Sequence, residues 1–322
     1  MAAQRRGRQQ VRVLAHFRGT RPAVGSDRRF TVIVITCNRR EELLTNLGRM
    51  ACLAEEPRLV VVDNGSTDGT ADAVRKHHPW ADLVVLDRNV GAVGRNVAVD
   101  MAEEDYVAFA DDDTWWAPGS LAAAADALDA HADVAVVTAT IVVEPAGRED
   151  PIVRDMRVSP LPNEGGLPGH PLLSVLAGAS MVRRSAYLQV GGFEPRLHIG
   201  GEEELLSADL AAAGWALRHL PELRVHHHAS RARDPHRRRA NGLRNTLWFV
   251  WLRRPWPDAV RRSWRTIRSA PADTVTVRAL GEALAGARWV RQARRPLPTP
   301  VADGLRLLDD QQIDSKARRY VS

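Results

Sequence analysis

Between residues 30 and 139 short apolar runs alternate with helix-length segments, and this rhythm restricts the chain to few folds. It predicts strands at 30–36, 58–62, 83–86, 106–110 and 134–139, separated by helices at 41–52, 69–78, 93–101 and 119–130. Leu59-Val60-Val61-Val62 is apolar at every position, as a strand buried on both faces must be. Strand, helix and strand in strict succession specify a mostly parallel, Rossmann-like α/β sheet covered by helices on both faces.

Beyond residue 140 the rhythm breaks. Residues 141–171 read as short strands and Pro/Gly-rich loops, an excursion over the carboxyl edge of the sheet. A strand at 174–183 returns the chain, followed by a helix at 202–213 and strands at 216–220 and 224–228. An Arg/Trp-rich helical appendage is expected over 236–295 and a mobile tail over 296–322. Residues 1–28 read as a flexible Arg-rich lead-in with one short strand at 11–16.

Two cysteines, Cys37 and Cys52, are too few for a disulfide framework, so a reducing cytoplasm is the expected compartment. The Arg-rich start lacks the apolar stretch of a signal peptide, and no apolar run reaches the length of about 18 residues that a membrane span needs. The formal charge of +6 invites a nucleic-acid partner. Lysine, however, occurs only at Lys76 and Lys316, so the basic charge is arginine in an alanine-rich chain, which fits codon bias better than a nucleic-acid surface. The charge is also uneven: residues 231–270 hold twelve arginines against Asp234 and Asp258.

Acids gather where the predicted strands end. The strand 106–110 runs into Asp111-Asp112-Asp113, and 58–62 runs into Asp63-Asn64-Gly65-Ser66-Thr67-Asp68-Gly69-Thr70. Three carboxylates on one tip repel one another unless a counter-ion is present, and a divalent cation is the expected one. In open α/β sheets ligands bind beyond the carboxyl ends of strands, so the two acidic tips mark a site. The competing reading is a solvated acidic turn and a helix cap.

Taken in order, Val34-Ile35-Thr36-Cys37-Asn38-Arg39, the run 63–70, Arg88-Asn89-Val90-Gly91 with Gly94-Arg95-Asn96, and the Asp111–Asp113 cluster resemble the inverting glycosyltransferases of family 2, which have the GT-A fold. Gly191-Gly192-Phe193, Gly201-Glu202-Glu203, Ala213-Gly214-Trp215, and His226-His227-His228 with Ser230 continue the resemblance to about residue 230. It implies a catalytic domain over 29–235, with a nucleotide-binding half at 29–139 and an acceptor half at 140–235. The implied reaction moves a sugar from a nucleoside-diphosphate sugar, a UDP- or dTDP-sugar, to an acceptor hydroxyl by direct displacement.

By the same resemblance Thr36, Asn38 and Arg39 would flank the base, Asp63 with Asn64 would meet the pyrimidine ring, and Arg95 would lie near base or diphosphate. Asp111 or Asp112 would reach the ribose, while Asp113, with Asp111 beside it, would hold Mn2+ or Mg2+ on the diphosphate. His227 best matches the family's histidine ligand, although the three-histidine run leaves the register open. Counting back from Trp215 places the acceptor's general base at Glu203, next to Glu202; glutamate stands where the family's usual residue is aspartate, and Glu204 adds a third acid. Acids in a first helical turn also complement the helix dipole, which is the rival explanation. Trp115 and Trp116 would line the pocket or lie buried beneath the excursion.

The acceptor is open among a polysaccharide, a lipid-linked sugar and a secondary metabolite, and the appendage 236–295 is a candidate for peripheral contact with an anionic membrane; no nucleic acid is expected. Two other functions compete. A non-catalytic sugar-nucleotide sensor or membrane-surface scaffold needs no intact set of acids. A nucleotidyltransferase would use Gly19-Thr20-Arg21-Pro22 as a phosphate loop, but that run precedes the first firm strand and has no lysine.

Overall fold

A computed structural model describes residues 11–19, 27–163, 165–228 and 235–314. Its centre is one large mixed sheet with helices on both faces. The first strands and helices are β1 (Val13–Phe17), β2 (Phe30–Thr36), α1 (Arg40–Met50), β3 (Arg58–Asp63), α2 (Thr70–His77), β4 (Asp82–Leu86), α3 (Gly94–Met101) and β5 (Tyr106–Asp111). Strands β4, β3, β2 and β5 are parallel neighbours, and β1 pairs antiparallel on the outer edge of β4.

Alternate residues of β2 serve opposite faces. Val32 and Val34 pack with Leu43 and Leu47 of α1, whereas Ile33 packs with Val60, Val62 and Phe109 on the other side. Burial on both faces is why these strands are apolar throughout rather than at every second residue.

The second half adds β6 (Thr114–Trp116), α4 (Ser120–Ala130), β7 (Val134–Val143), β8 (Arg148–Glu149), α5 (Pro151–Arg157), β9 (His170–Pro171), β10 (Ser180–Arg183), α6 (Arg184–Val190), α7 (Glu202–Ala212) and β11 (Ala216–His227). Strand β10 inserts antiparallel between β5 and β7, and β11 runs parallel to β7 before pairing antiparallel with β6. Several expectations need correction here. The strand expected over 174–183 is only β10; Ala177–Ala179 form a 3-10 turn instead. The two strands expected at 216–228 are one strand, irregular between Leu220 and Arg224. The excursion carries a helix, α5, capped by Asp150 and started by Pro151, both favourable at a helix N-terminus.

Five helices follow: α8 (Pro235–Arg253), α9 (Trp256–Ser269), α10 (Thr274–Ala285), α11 (Ala287–Ala293) and α12 (Thr299–Asp314). They pack against α7. Leu205 and Ala208 of α7 share a core with Leu247, Phe249 and Leu252 of α8 and Leu305 of α12. The tail expected to be mobile from 296 is thus helical to Asp314, held by burial of Ala302 and Leu305 and by the Arg254–Asp309 ion pair at 3.0 Å. Among the described residues no helix is long and apolar enough to cross a membrane.

Candidate active site

Parallel pairing brings Thr36 level with Asp63, and Ile35 level with Asp111, so the carboxyl ends of β2, β3 and β5 form one ledge. Asp63 is buried, and its Oδ1 accepts the Ser66 N–H at 2.9 Å, closing the turn that leads into α2. Asn38 anchors the neighbouring loop by accepting the Thr67 N–H at 2.7 Å. Asn64 points elsewhere: its side chain accepts the Val90 N–H at 2.9 Å and donates to the Gly91 carbonyl at 3.0 Å. It therefore stitches the 88–91 loop to the ledge.

The acidic turn after β5 is held from three sides. Thr114 Oγ1 accepts the Asp111 N–H at 2.7 Å and donates to the Gly178 carbonyl at 3.1 Å, and Asn46 of α1 donates to the Asp111 carbonyl at 3.1 Å. Its charge is answered within the protein. Arg95 pairs with Asp111, while Arg39 pairs with Asp112 and reaches Asp113 Oδ2 at 3.1 Å. The premise that three carboxylates lack a counter-ion is therefore corrected: two arginines from α3 and the β2–α1 loop supply most of it. Asp112 is buried against Thr36 Oγ1 at 3.1 Å, and burial pushes its pKa up to about 7 despite Arg39.

Pairing of β11 with β6 sets His227 opposite Thr114. The His227 imidazole then lies 3.7 Å from the Asp113 carboxylate. His226, on the other face of the strand, accepts or donates at 2.8 Å to Glu144 and stacks on Trp115, with ring centroids 5.2 Å apart. Trp115 also carries the Arg49 guanidinium 3.8 Å over its ring. Trp116 is core: it is fully buried and its indole N–H donates to the Phe109 carbonyl at 3.1 Å. Ser230, Thr20, Arg21 and Pro22 lie outside the described residues.

On the far side of the 177–179 turn stands the start of α7. Glu203 is half-buried and its Oε1 accepts the Ala177 N–H at 2.6 Å. Glu202 is buried with Oε2 making no hydrogen bond. Burial first, and then the Glu202 charge, push the Glu203 carboxyl up to about 8; burial raises Glu202 and Glu204 as well. The Ala177–Ala179 turn joins the two sides, because a Cβ on Gly178 would lie 2.7 Å from Asp111 Oδ2. One glycine-sized turn therefore separates Glu203 from the ledge by touching both.

The glycine that precedes α7, together with α8 residues that sequence reasoning missed, holds this arrangement. Gly201, the residue before α7, has φ +88° and abuts Asn245 of α8. Asn245 is fully buried and donates to the carbonyls of Leu197 at 2.7 Å and Gly200 at 2.5 Å. Arg253 of α8 grips Asp209 of α7 with two contacts, one of them at 2.8 Å. Nothing local in the sequence marks Asn245, since its partners lie some 45 residues upstream.

Residues 31–191 match the family model described as Glycosyl transferase family 2. The chain belongs to this family. It is a glycosyltransferase acting on nucleotide sugars, and the fold subsumes the GT-A expectation. Among relatives, an N-acetylglucosaminyl-diphospho-decaprenol L-rhamnosyltransferase of Mycobacterium tuberculosis is 29% identical over 277 residues, covering 72% of this chain and 89% of that protein. Among solved structures, Staphylococcus aureus TarS in complex with UDP is 26% identical with a TM-score of 0.51, covering 69% of this chain and 65% of that one. The mannosyltransferase PcManGT of Pyrobaculum calidifontis, solved with GDP-Man and Mn2+, has a TM-score of 0.52 at 22% identity, covering 93% of this chain and 83% of its own; it bears on the fold alone.

Proposed function

We propose that this glycosyltransferase inverts: an acceptor hydroxyl displaces the nucleoside diphosphate directly from the anomeric carbon, with Glu203 as general base. The observation that carries the reading is the turn at 177–179, which contacts Glu203 on one side and Asp111 on the other. Direct displacement needs a base on the face of the sugar opposite the leaving group, and the two acids are set apart by such a turn. Glu203 takes the acceptor proton as the new C–O bond forms, and the C–O bond to the diphosphate breaks. Of the adjacent acids, Glu202 is the more enclosed, so Glu203 is better placed to meet an incoming hydroxyl.

On the donor side, Thr36, Asn38, Arg39 and Asp63 are assigned to the base, Asp111 and Asp112 to the ribose side, and Arg95 to the diphosphate, with a UDP- or dTDP-sugar as donor. Asn64 acts by positioning the 88–91 loop. Asp113 and His227 fit a divalent ion as a partial shell, a carboxylate and an imidazole that converge at 3.7 Å. Among the described residues no group of three or more His, Cys, Asp or Glu forms a complete metal cage. An ion so held would take its other ligands from phosphate oxygens and water, and when bound it would neutralise charge on the departing diphosphate. Mn2+ suits the imidazole better than Mg2+.

For the acceptor we favour a lipid-linked sugar, because a relative of matching length is named for a decaprenol-linked one, and we assign contact with an anionic membrane to 236–295. The deciding experiment compares Glu203→Gln with Glu202→Gln and Glu204→Gln in turnover and in nucleotide affinity. Loss of transfer in Glu203→Gln alone, with nucleotide affinity kept, supports the assignment; normal turnover in that variant refutes it.

A further inference from the structure

Helix α9 is amphipathic in the wrong sense for a helix packed on a protein core. Its buried residues are Asp258, Ala259 and Thr266. That inner side is polar and tied down: Asp258 receives Arg261 at 2.9 Å and Arg306 of α12 at 2.7 Å, Ser263 receives the Trp251 indole N–H at 2.9 Å, and Arg262 reaches Asp309 at 3.5 Å. The large apolar side chains face outward instead. Trp256, Val260 and Trp264 are 62%, 67% and 64% exposed, and Ile267 is 38% exposed. At 3.6 residues per turn, steps of four, four and three place these four on one stripe.

Beside the stripe, on the same outward arc, lie the exposed Arg265 and Arg268, whereas Arg261 is engaged by Asp258. The only carboxylate of the helix, Asp258, is turned inward. From these contacts we infer that the outer face of α9 docks on an anionic lipid bilayer, with Trp256, Val260, Trp264 and Ile267 entering the headgroup boundary and the arginines meeting lipid phosphates. Indole rings suit that boundary because they are apolar in body and polar at one edge. A second copy of the chain fits poorly, since its own α9 arc brings arginines against arginines and no carboxylate.

This narrows the membrane contact proposed for 236–295 to one helix face and does not depend on the transfer chemistry. The test is flotation of the full chain with vesicles of phosphatidylcholine alone and of phosphatidylcholine mixed with phosphatidylglycerol. Expected is binding to the mixed vesicles that salt releases, with little binding to the neutral ones. Removing two charges in Arg265→Gln/Arg268→Gln should lower partitioning about thirty-fold, from the per-residue gain near an anionic surface. Val260→Ser/Trp264→Ser should lower it at least about tenfold. Thermal unfolding of both variants checks that they are folded. No binding by the wild-type chain overturns both the membrane contact and its location. Wild-type binding that both variants retain overturns the location alone. Sedimentation velocity that finds a wild-type dimer, lost in Val260→Ser/Trp264→Ser, with no vesicle binding, would assign the face to a second copy instead.

Discussion

Replacing Glu203 by glutamine should stabilise the protein while removing its activity. The carboxyl is raised from 4.5 to about 8 in the fold, by burial and by Glu202 beside it. A raised carboxyl keeps its proton in the folded state after the unfolded chain has released it. Stability contributed by this group is therefore full below the unfolded value and declines as pH rises toward the folded one. Each pH unit in that window removes at most about 1.4 kcal/mol. Glutamine is neutral at all pH values, and its carbonyl oxygen can still accept the Ala177 N–H. Allowing for a side chain that is only half-buried, the variant should gain about 1–3 kcal/mol at neutral pH. Melting curves at closely spaced pH values are the assay: the gap between variant and wild type should widen from pH 5 to pH 8. Turnover should fall by roughly 10²- to 10⁴-fold, the usual contribution of a general base. A variant less stable than wild type at pH 8, or a gap that ignores pH, would refute the account of the Glu203 environment.

Wild-type turnover should rise with pH toward about 8, because the base acts only when ionised, and a pH–rate profile in kcat checks this. Asp113→Asn and His227→Ala should each weaken nucleotide binding measured by calorimetry with Mn2+, and equal wild-type affinity in chelator would remove the metal from the mechanism. Gly178→Ala should cost about 1–3 kcal/mol and disturb nucleotide binding, since its new methyl meets Asp111 Oδ2 at 2.7 Å. Asn245→Ala leaves the Gly200 carbonyl without its donor and the Leu197 carbonyl with only Arg244 at 3.5 Å, so amide exchange over 197–201 should quicken and kcat should fall although residue 245 touches no substrate.

Sequence periodicity located the parallel strands because burial on both faces leaves its mark on every residue, as in Leu59–Val62. Asp63 and the Asp111–Asp113 cluster stood out for a different reason, charge at the end of an apolar run, whereas Glu202–Glu203 were reached only through the family resemblance, counted back from Trp215. The three-histidine run left its register open, and only the pairing of β11 with β6 turns His227 to Asp113. What was not legible depends on partners distant in sequence. Asp112 turns to Arg39, 73 residues earlier, and this pairing answers a charge that local reading left to a metal. The 3-10 turn at 177–179 sits inside a run apolar enough to read as strand, and only its contacts with Thr114 and Glu203 explain why it is not one. Helix α12 reads as a Pro-rich tail until Arg254 and Asp309 are brought together.

The place of β10 in the sheet bears on the order in which this chain can assemble. On one side β5 has β2, but on the other it waits for Met181, Val182 and Arg183, which are made about 70 residues after it. Until then the backbone of Tyr106, Val107 and Ala108 is an open edge of an apolar strand, the kind that recruits strands from other molecules. A chain cut after residue 139 should therefore aggregate rather than fold into a nucleotide-binding half. During synthesis the same delay holds the Asp111–Asp113 turn incomplete until the 177–179 turn has left the ribosome, so the acidic ledge and its contact with Glu203 form together.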